Sequence, residues 1–257
     1  MELGYVVAGL LVGFVVGLTG VGGGSLMTPI LVWFGIPPAT AVGTDLLYAA
    51  ITKAGGVMIH HRQRHVDWGI TRRLATGSLP AALLTLFALS RIDLPTATIN
   101  AVIKVSLGAA LILTALAILF KPLLVKLAHR INPSLLDESR SRTVPTVLIG
   151  VMLGVLVTLS SIGAGALGTL ALFLLYPALP TTRLVGTEIA HAVPLTLVAG
   201  IGHASLGNLD YGLLVNLLMG SLPGIWMGSR LTKKMAERWM RPALAIMLAI
   251  VGTKLVY

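Results

Sequence analysis

Apolar residues along this chain gather into ten runs, near residues 3–19, 24–36, 39–59, 71–89, 97–120, 143–159, 164–178, 182–202, 211–229 and 239–256, bounded by charge or turn signals. A helix rises about 1.5 Å per residue, so about 20 residues cross a bilayer core of roughly 30 Å. The pattern predicts an all-α integral membrane protein of about ten hydrophobic segments. Two stretches, from Ser25 to Phe34 and from Ala166 to Tyr176, would be only about 15 Å long. With the runs before them they are compatible with re-entrant hairpins, each reaching the midplane from its own side of the membrane. Non-helical backbone is tolerated at that depth only inside protein or against a water-filled cavity.

The runs repeat. Gly13-x3-Gly17-x2-Gly20-Val21-Gly22-Gly23-Gly24 recurs 141 residues on as Gly154-x3-Thr158-x2-Ser161-Ile162-Gly163-Ala164-Gly165. Pro37, Val42-Gly43-Thr44-Asp45, His60, Asp67 and Gly77-Ser78-Leu79-Pro80 recur 143 residues on as Pro180, Val185-Gly186-Thr187-Glu188, His203, Asp210 and Gly220-Ser221-Leu222-Pro223. Duplicated halves in an apolar chain mark a repeat-built carrier with its site between the repeats. The expected organisation is a first membrane repeat over residues 1–120, a linker over 121–142 that includes a short interfacial helix, and a second repeat over 143–257.

Charge sets the expected orientation. If the ten segments alternate, fifteen of the nineteen Lys and Arg residues share the side of the 60–73 connection, which places that side and the linker in the cytoplasm and both termini outside. The connection after the third segment holds four arginines, whereas its repeat mate from His203 to Tyr211 holds no Lys or Arg, so the two five-segment halves are inverted. The net charge of +10 therefore reads as membrane topology and not as a nucleic-acid surface.

Composition narrows the function classes. Hydrophobic residues make up 56%, charged residues 11%, and the mean hydropathy is +0.91, against about 25% charge in a soluble domain. The start at Met1-Glu2-Leu3-Gly4 lacks the positive region of a cleaved signal peptide, and the first run is expected to stay in the mature chain. There is no cysteine, hence no disulfide and no thiolate nucleophile or metal ligand. No Gly-x4-Gly-Lys-Ser/Thr loop is present for an ATP-driven pump, and neither His-Glu-x2-His nor Gly-x-Ser-x-Gly for an intramembrane hydrolase. No cofactor and no metal are expected; Arg62 and Arg64 interleave with His60, His61 and His65.

The candidate chemistry lies in the repeated motifs. Gly22, Gly23, Gly24 and Ser25 open one helix, and Ser160, Ser161, Gly163 and Gly165 precede another. Glycines admit close backbone approach, and first-turn N–H groups are unpaired and partially positive, so two such turns make anion cradles. The alternative is tight helix packing, which the spacing Gly9-x3-Gly13-x3-Gly17 favours for that stretch. Thr44 and Thr187 could add hydroxyl donors. Asp45 and Glu188 lie about two turns inside the third and eighth segments, where ionised groups cost about 3 kcal/mol at the bilayer centre and are functional candidates by default. They are the proton-coupling candidates together with His191, three residues from Glu188 on one helix face. The alternative for the acids is solvation at a helix end, and for His191 a packed, hydrogen-bonded ring. Lys53, whose repeat mate is Thr196, is either a counter-charge for Asp45 or a substrate contact; about 12 Å of helix separates it from Asp45. Asp67 and Asp210 read as helix N-caps.

The Gly-x3-Gly-x4-Gly-Gly-Gly opening, the Pro-x5-Gly-Thr element, the Asp67-Trp68 pair and their echoes in the second half resemble the sulfite exporter TauE/SafE family over essentially the whole chain. That pattern carries Ser after Gly-Thr, where this chain has Asp45 and Glu188. The resemblance implies a multi-spanning permease of the cytoplasmic membrane that moves sulfite, sulfonates or related sulfur oxyanions, coupled to a proton gradient, with both Gly-rich motifs near the substrate path. The expected partners are a small anion, protons and the bilayer, and the small-residue surfaces leave room for a homo-oligomer. A passive anion channel or uniporter, and a carrier of small organic carboxylates, remain the alternatives from sequence.

Overall fold

The computed structural model describes residues 3–19, 24–91, 95–131, 142–231 and 237–256. Its elements are helices: α1 (Leu3–Thr19), α2 (Gly24–Trp33), α3 (Pro38–Arg62), α4 (Trp68–Arg91), α5 (Thr96–Ile131), α6 (Thr143–Ser160), α7 (Ala166–Leu175), α8 (Thr181–Ser205), α9 (Tyr211–Leu231) and α10 (Glu237–Val256). Local chemistry sets several boundaries. Pro38 opens α3, where the missing N–H costs nothing. Asp67 accepts from Ile70 N–H at 3.1 Å and Asp210 from Leu213 N–H at 2.9 Å, which caps α4 and α9 as expected. The short α2 and α7 have ten residues each, as the apolar pattern requires. One boundary differs: α5 continues without a break through Ile131 into the stretch expected as a linker. Lys121-Pro122 opens that stretch, but Pro122 does not end the helix. The remainder of the linker, residues 132–141, lies outside the described residues.

Among the described residues, five helices are long and apolar enough to cross a membrane: Trp68–Arg91, Ala97–Lys121, Thr143–Ser160, Thr181–Ser205 and Tyr211–Gly228. The outer surface carries Leu83, Leu84, Phe87, Leu148, Met152 and Trp226, whereas Asp45, Lys53, Ser78, Glu188 and His191 are interior. This arrangement, apolar outside with charge at the centre, is the one a bilayer demands.

Helices of one half pack on helices of the other. α1 lies along α9, α6 along α4, α3 along α8 and α5 along α10. In the first two pairs the backbones touch. Gly9 and Gly13 press on the carbonyls of Leu217 and Ser221, and Gly220 and Gly224 on those of Val6 and Leu10. In the α4–α6 pair, Gly150 and Gly154 press on Leu74 and Ser78, and Gly77 on Val147. Three of these contacts correspond at the offsets of the sequence repeat, with Gly9, Gly13 and Gly220 in the places of Gly150, Gly154 and Gly77, while Ala81 stands in the place of Gly224. Small residues let backbone approach backbone here, which in lipid replaces the hydrophobic effect as the source of helix association.

The loops closing the α3–α8 pair correspond in the same way. Asp210 N–H donates to Thr44 Oγ1 at 3.2 Å and Asp67 N–H to Thr187 Oγ1 at 2.9 Å. Gly43 abuts the Asn208 carbonyl, and Gly186 that of His65. An ion pair, Arg183 Nη2 to Asp67 Oδ2 at 2.9 Å, reinforces the Thr187 end.

Candidate functional site

A polar cluster lies between α3 and α8, where α2 and the α6–α7 turn meet them. Asp45 is fully buried, and its Oδ2 accepts from the Thr28 hydroxyl of α2. The Ser161 hydroxyl is beside the same carboxyl. Glu188, 2% exposed, packs against Gly168 of α7. His191 Nε2 is 2.8 Å from the Ser78 hydroxyl of α4. Lys53 does not reach along its own helix to Asp45. It donates across the repeat boundary to the Ala164 carbonyl in the second Gly-rich turn, and its charge acts on Asp45, Glu188 and His191.

The turn holding Ala164 is built by unusual backbone. Ser161 adopts φ +58° and Gly163 φ +121°, the left-handed region that favours glycine. Ser161 N–H closes α6 by donating to Val157 O at 2.7 Å, and the N–H groups of Gly165 and Gly168 both donate to Gly163 O at 2.9 Å. Carbonyls and N–H groups are thereby concentrated where α6 stops and α7 starts.

The structure sorts the sequence candidates. Asp45, Lys53, Ser161, Glu188 and His191 come together. Gly22 and Gly23 lie outside the described residues, and Gly24 and Ser25 open α2. Four candidates take internal roles. The Ser160 hydroxyl donates to Leu156 O at 2.6 Å and accepts from Ile162 N–H at 3.1 Å, so it braces its own turn. Thr187 donates to Arg183 O at 2.6 Å and accepts from Asp67, which leaves it no proton for a substrate. Thr44 holds the start of α9 in the matching position. The Gly165 N–H is turned back onto Gly163, so this part of the cradle is already filled by the turn itself.

Three participants were not among the site candidates from sequence: Thr28, Tyr48 and Ser78, the last noted only as part of a repeated element. The repeat could have found them. Thr169 stands 141 residues after Thr28, and Ser221 stands 143 after Ser78. Tyr48 is the mate of His191 and fully buried, but its hydroxyl and that of Ser221, the mate of Ser78, are both without a hydrogen-bond partner, unlike His191 and Ser78. Each half thus carries a carboxyl, a ring three residues on, and a repeat-matched serine. Thr28→Val is expected to destabilise the protein by about 1–3 kcal/mol, because it strips the donor from a buried carboxyl, while Thr28→Ser retains it. Thermal midpoints of the purified variants check this.

An apolar-surfaced helical bundle with charged groups between its central helices defines a multi-spanning membrane protein with an internal polar site. Over residues 5–255 the chain matches the family described as sulfite exporter TauE/SafE. It is 40% identical over 256 residues, covering 100% of both chains, to the probable membrane transporter protein YjnA of Bacillus subtilis strain 168. Identity is 29% over 252 residues to the probable membrane transporter protein YdhB of the same organism, covering 96% of this chain and 97% of that one. A probable membrane transporter protein of Methanocaldococcus jannaschii is 25% identical over 264 residues, covering 96% of this chain and 92% of the relative. No solved structure matches. The chain belongs to the sulfite exporter TauE/SafE family and is a membrane transporter.

Proposed function

We propose that this transporter is a secondary carrier that moves a small sulfur-containing oxyanion, sulfite or an organosulfonate, across the cytoplasmic membrane by alternating access with proton coupling. The observation that carries the reading is the pair of interior carboxyls, Asp45 and Glu188, at repeat-matched positions of the two central helices. A channel needs a polar lining but no such matched acids. A carrier that returns protons with its anion does need groups that take up and release them in the interior.

The two halves are five-helix repeats of inverted orientation, spanning 1–120 and 143–257, with the intervening stretch cytoplasmic and both termini outside. The reciprocal contacts of α1 with α9 and α6 with α4, at the offsets of the sequence repeat, support this. So do the matching loop tethers at Thr44 and Thr187. The short α2 and α7 are the returning arms of re-entrant hairpins, and the Gly-rich turn before α7 meets α3 at Lys53. Anion donors are the Ser161 hydroxyl and the first-turn N–H groups at the starts of α2 and α7, where the helix dipole favours negative charge. Protons are carried by Asp45, Glu188 and His191.

Substrate choice is tested by the thermal midpoint of purified protein titrated with sulfite, a short alkylsulfonate, acetate and chloride at constant ionic strength. A ligand that binds only the folded state raises the midpoint with its concentration. Sulfite or sulfonate is expected to stabilise at concentrations where acetate does not; stabilisation by acetate alone would move the reading to organic carboxylates.

A further inference from the structure

The central helices α3 and α8 are repeat mates, and the second half of each carries its own version of one surface. At about 100° per residue, Thr196, Ala199, Gly200 and His203 share one face of α8; 143 residues earlier, Lys53, Gly56, Val57 and His60 share the corresponding face of α3. The α8 face is fully covered. All four of its residues are buried. A Cβ at Gly200 would meet the Leu47 side chain at 2.6 Å, and His203 Nε2 lies 2.8 Å from the Thr158 carbonyl of α6. Beside them, Leu86 of α4 closes over Gly202.

The α3 face is left partly open. Gly56, Val57 and His60 are only partly buried. A Cβ at Gly56 would meet nothing closer than Ile189 at 3.6 Å, and His60 Nδ1 has no partner among the described residues. Contact with lipid does not explain this exposure. The lipid side of α3 is the stripe of Ile51, Gly55 and Met58, of which Ile51 and Met58 are 47% and 61% exposed. On a helix that stripe lies opposite Lys53, Gly56, Val57 and His60. The open face is therefore turned toward the interior, where ionisable side chains such as Lys53 and His60 face protein or a water-filled cavity. It leads from His60, near the end of α3, to Lys53, which is 8% exposed and donates to the Ala164 carbonyl of the Gly-rich turn.

We infer that this face of α3 lines a water-filled path from the cytoplasmic side to the interior site, that the matching face of α8 closes the outer path, and that the structure is the carrier open to the cytoplasm. Charge sets the side, because the arginines of the 60–73 connection follow His60 directly. In the opposite state the two faces exchange roles. α1 and α9, the mates of α6 and α4, then cover the second half of α3 as α6 and α4 cover that of α8 here. The inference rests on reading the chain as an alternating-access carrier.

The chain has no cysteine, so single cysteines report access without background. The experiment places Gly56→Cys, Val57→Cys, Thr196→Cys and Ala199→Cys singly in the full chain. Gly55→Cys, on the lipid side at the same depth, meets nothing within 4 Å and is the control. Modification by a membrane-impermeant methanethiosulfonate is followed in inside-out and right-side-out membrane vesicles. The reagent attacks the thiolate, which forms in water and not in hydrocarbon or a packed core. From the cytoplasmic side, Gly56→Cys and Val57→Cys are expected to react at least about tenfold faster than Gly55→Cys, Thr196→Cys and Ala199→Cys. Two cysteines on each face keep the comparison if one variant is not recovered. The inference is overturned if the α3 cysteines react no faster than Gly55→Cys or react faster from the outer side. It is equally overturned if the α8 cysteines react from outside as fast as the α3 cysteines do from the cytoplasm, the pattern of a pore open at both ends. Failure of the substrate reading is separable: wild type without sulfite flux, alongside cytoplasm-only labelling of α3, sinks the substrate and keeps the path.

Discussion

Gly154→Leu is expected to abolish recovery of folded protein, while Gly55→Ala, a smaller change in a mid-helix glycine, is tolerated. A Cβ at Gly154 meets the Ser78 carbonyl, Ser78 Cα at 2.9 Å and Ala81 Cβ at 2.9 Å. Two of those atoms are backbone and cannot swing aside, so α4 and α6 must part. Overpacking a close contact costs about 1–3 kcal/mol and occasionally more, and a leucine adds three further carbons to the clash. At Gly55 nothing lies within 4 Å, and replacing a mid-helix glycine by alanine stabilises by up to about 1 kcal/mol. If the halves are true structural repeats, Gly13→Leu does equal damage, because Gly13 presses on Ser221 as Gly154 does on Ser78. Monodisperse yield and thermal midpoint in detergent measure all three variants.

The double variant Asp45→Asn with Glu188→Gln is expected to remove pH-driven accumulation of the anion, a loss of at least about a hundredfold, near the top of the range for coupling between two ligands. Both substitutions keep side-chain shape. The carboxamide that replaces the Asp45 carboxyl keeps an oxygen able to accept from Thr28, so folding is retained. What is lost is the capacity to hold a proton in one conformation and release it in the other. Passive exchange of labelled anion across the membrane is expected to persist, which separates lost coupling from lost transport. Each single variant is expected to retain partial coupling because the other carboxyl remains in the interior. Normal accumulation by the double variant would remove these residues from the proton path.

Features set by local chemistry were legible in the chain. The N-caps at Asp67 and Asp210 needed only a polar residue ahead of an apolar run, and the ten-residue α2 and α7 followed from run length. Asp45 and Glu188 stood out because ionisable groups inside apolar segments are rare, and both are interior. The fates of the hydroxyls were not legible. Ser160 and Ser161 are adjacent and chemically alike, yet the φ of +58° at Ser161 leaves one bracing its turn and the other facing Asp45. The reach of Lys53 to Ala164 joins positions 111 residues apart, a distance at which helical periodicity is silent. Thr44 and Thr187 resembled ligand donors because they adjoin the acids, but their hydroxyls point to loops that return from the opposite half. α5 runs past Pro122 because the apolar pattern marks where a helix leaves the membrane, not where it stops.

The central claim is proton-coupled carriage of a sulfur oxyanion. It is tested most directly by uptake of labelled sulfite into proteoliposomes holding the wild-type protein, with and without an imposed pH gradient and against empty liposomes. Sulfite accumulating above its equilibrium distribution only when the gradient is present is the predicted result; equilibration at the same level with or without the gradient would contradict it and leave a passive pathway.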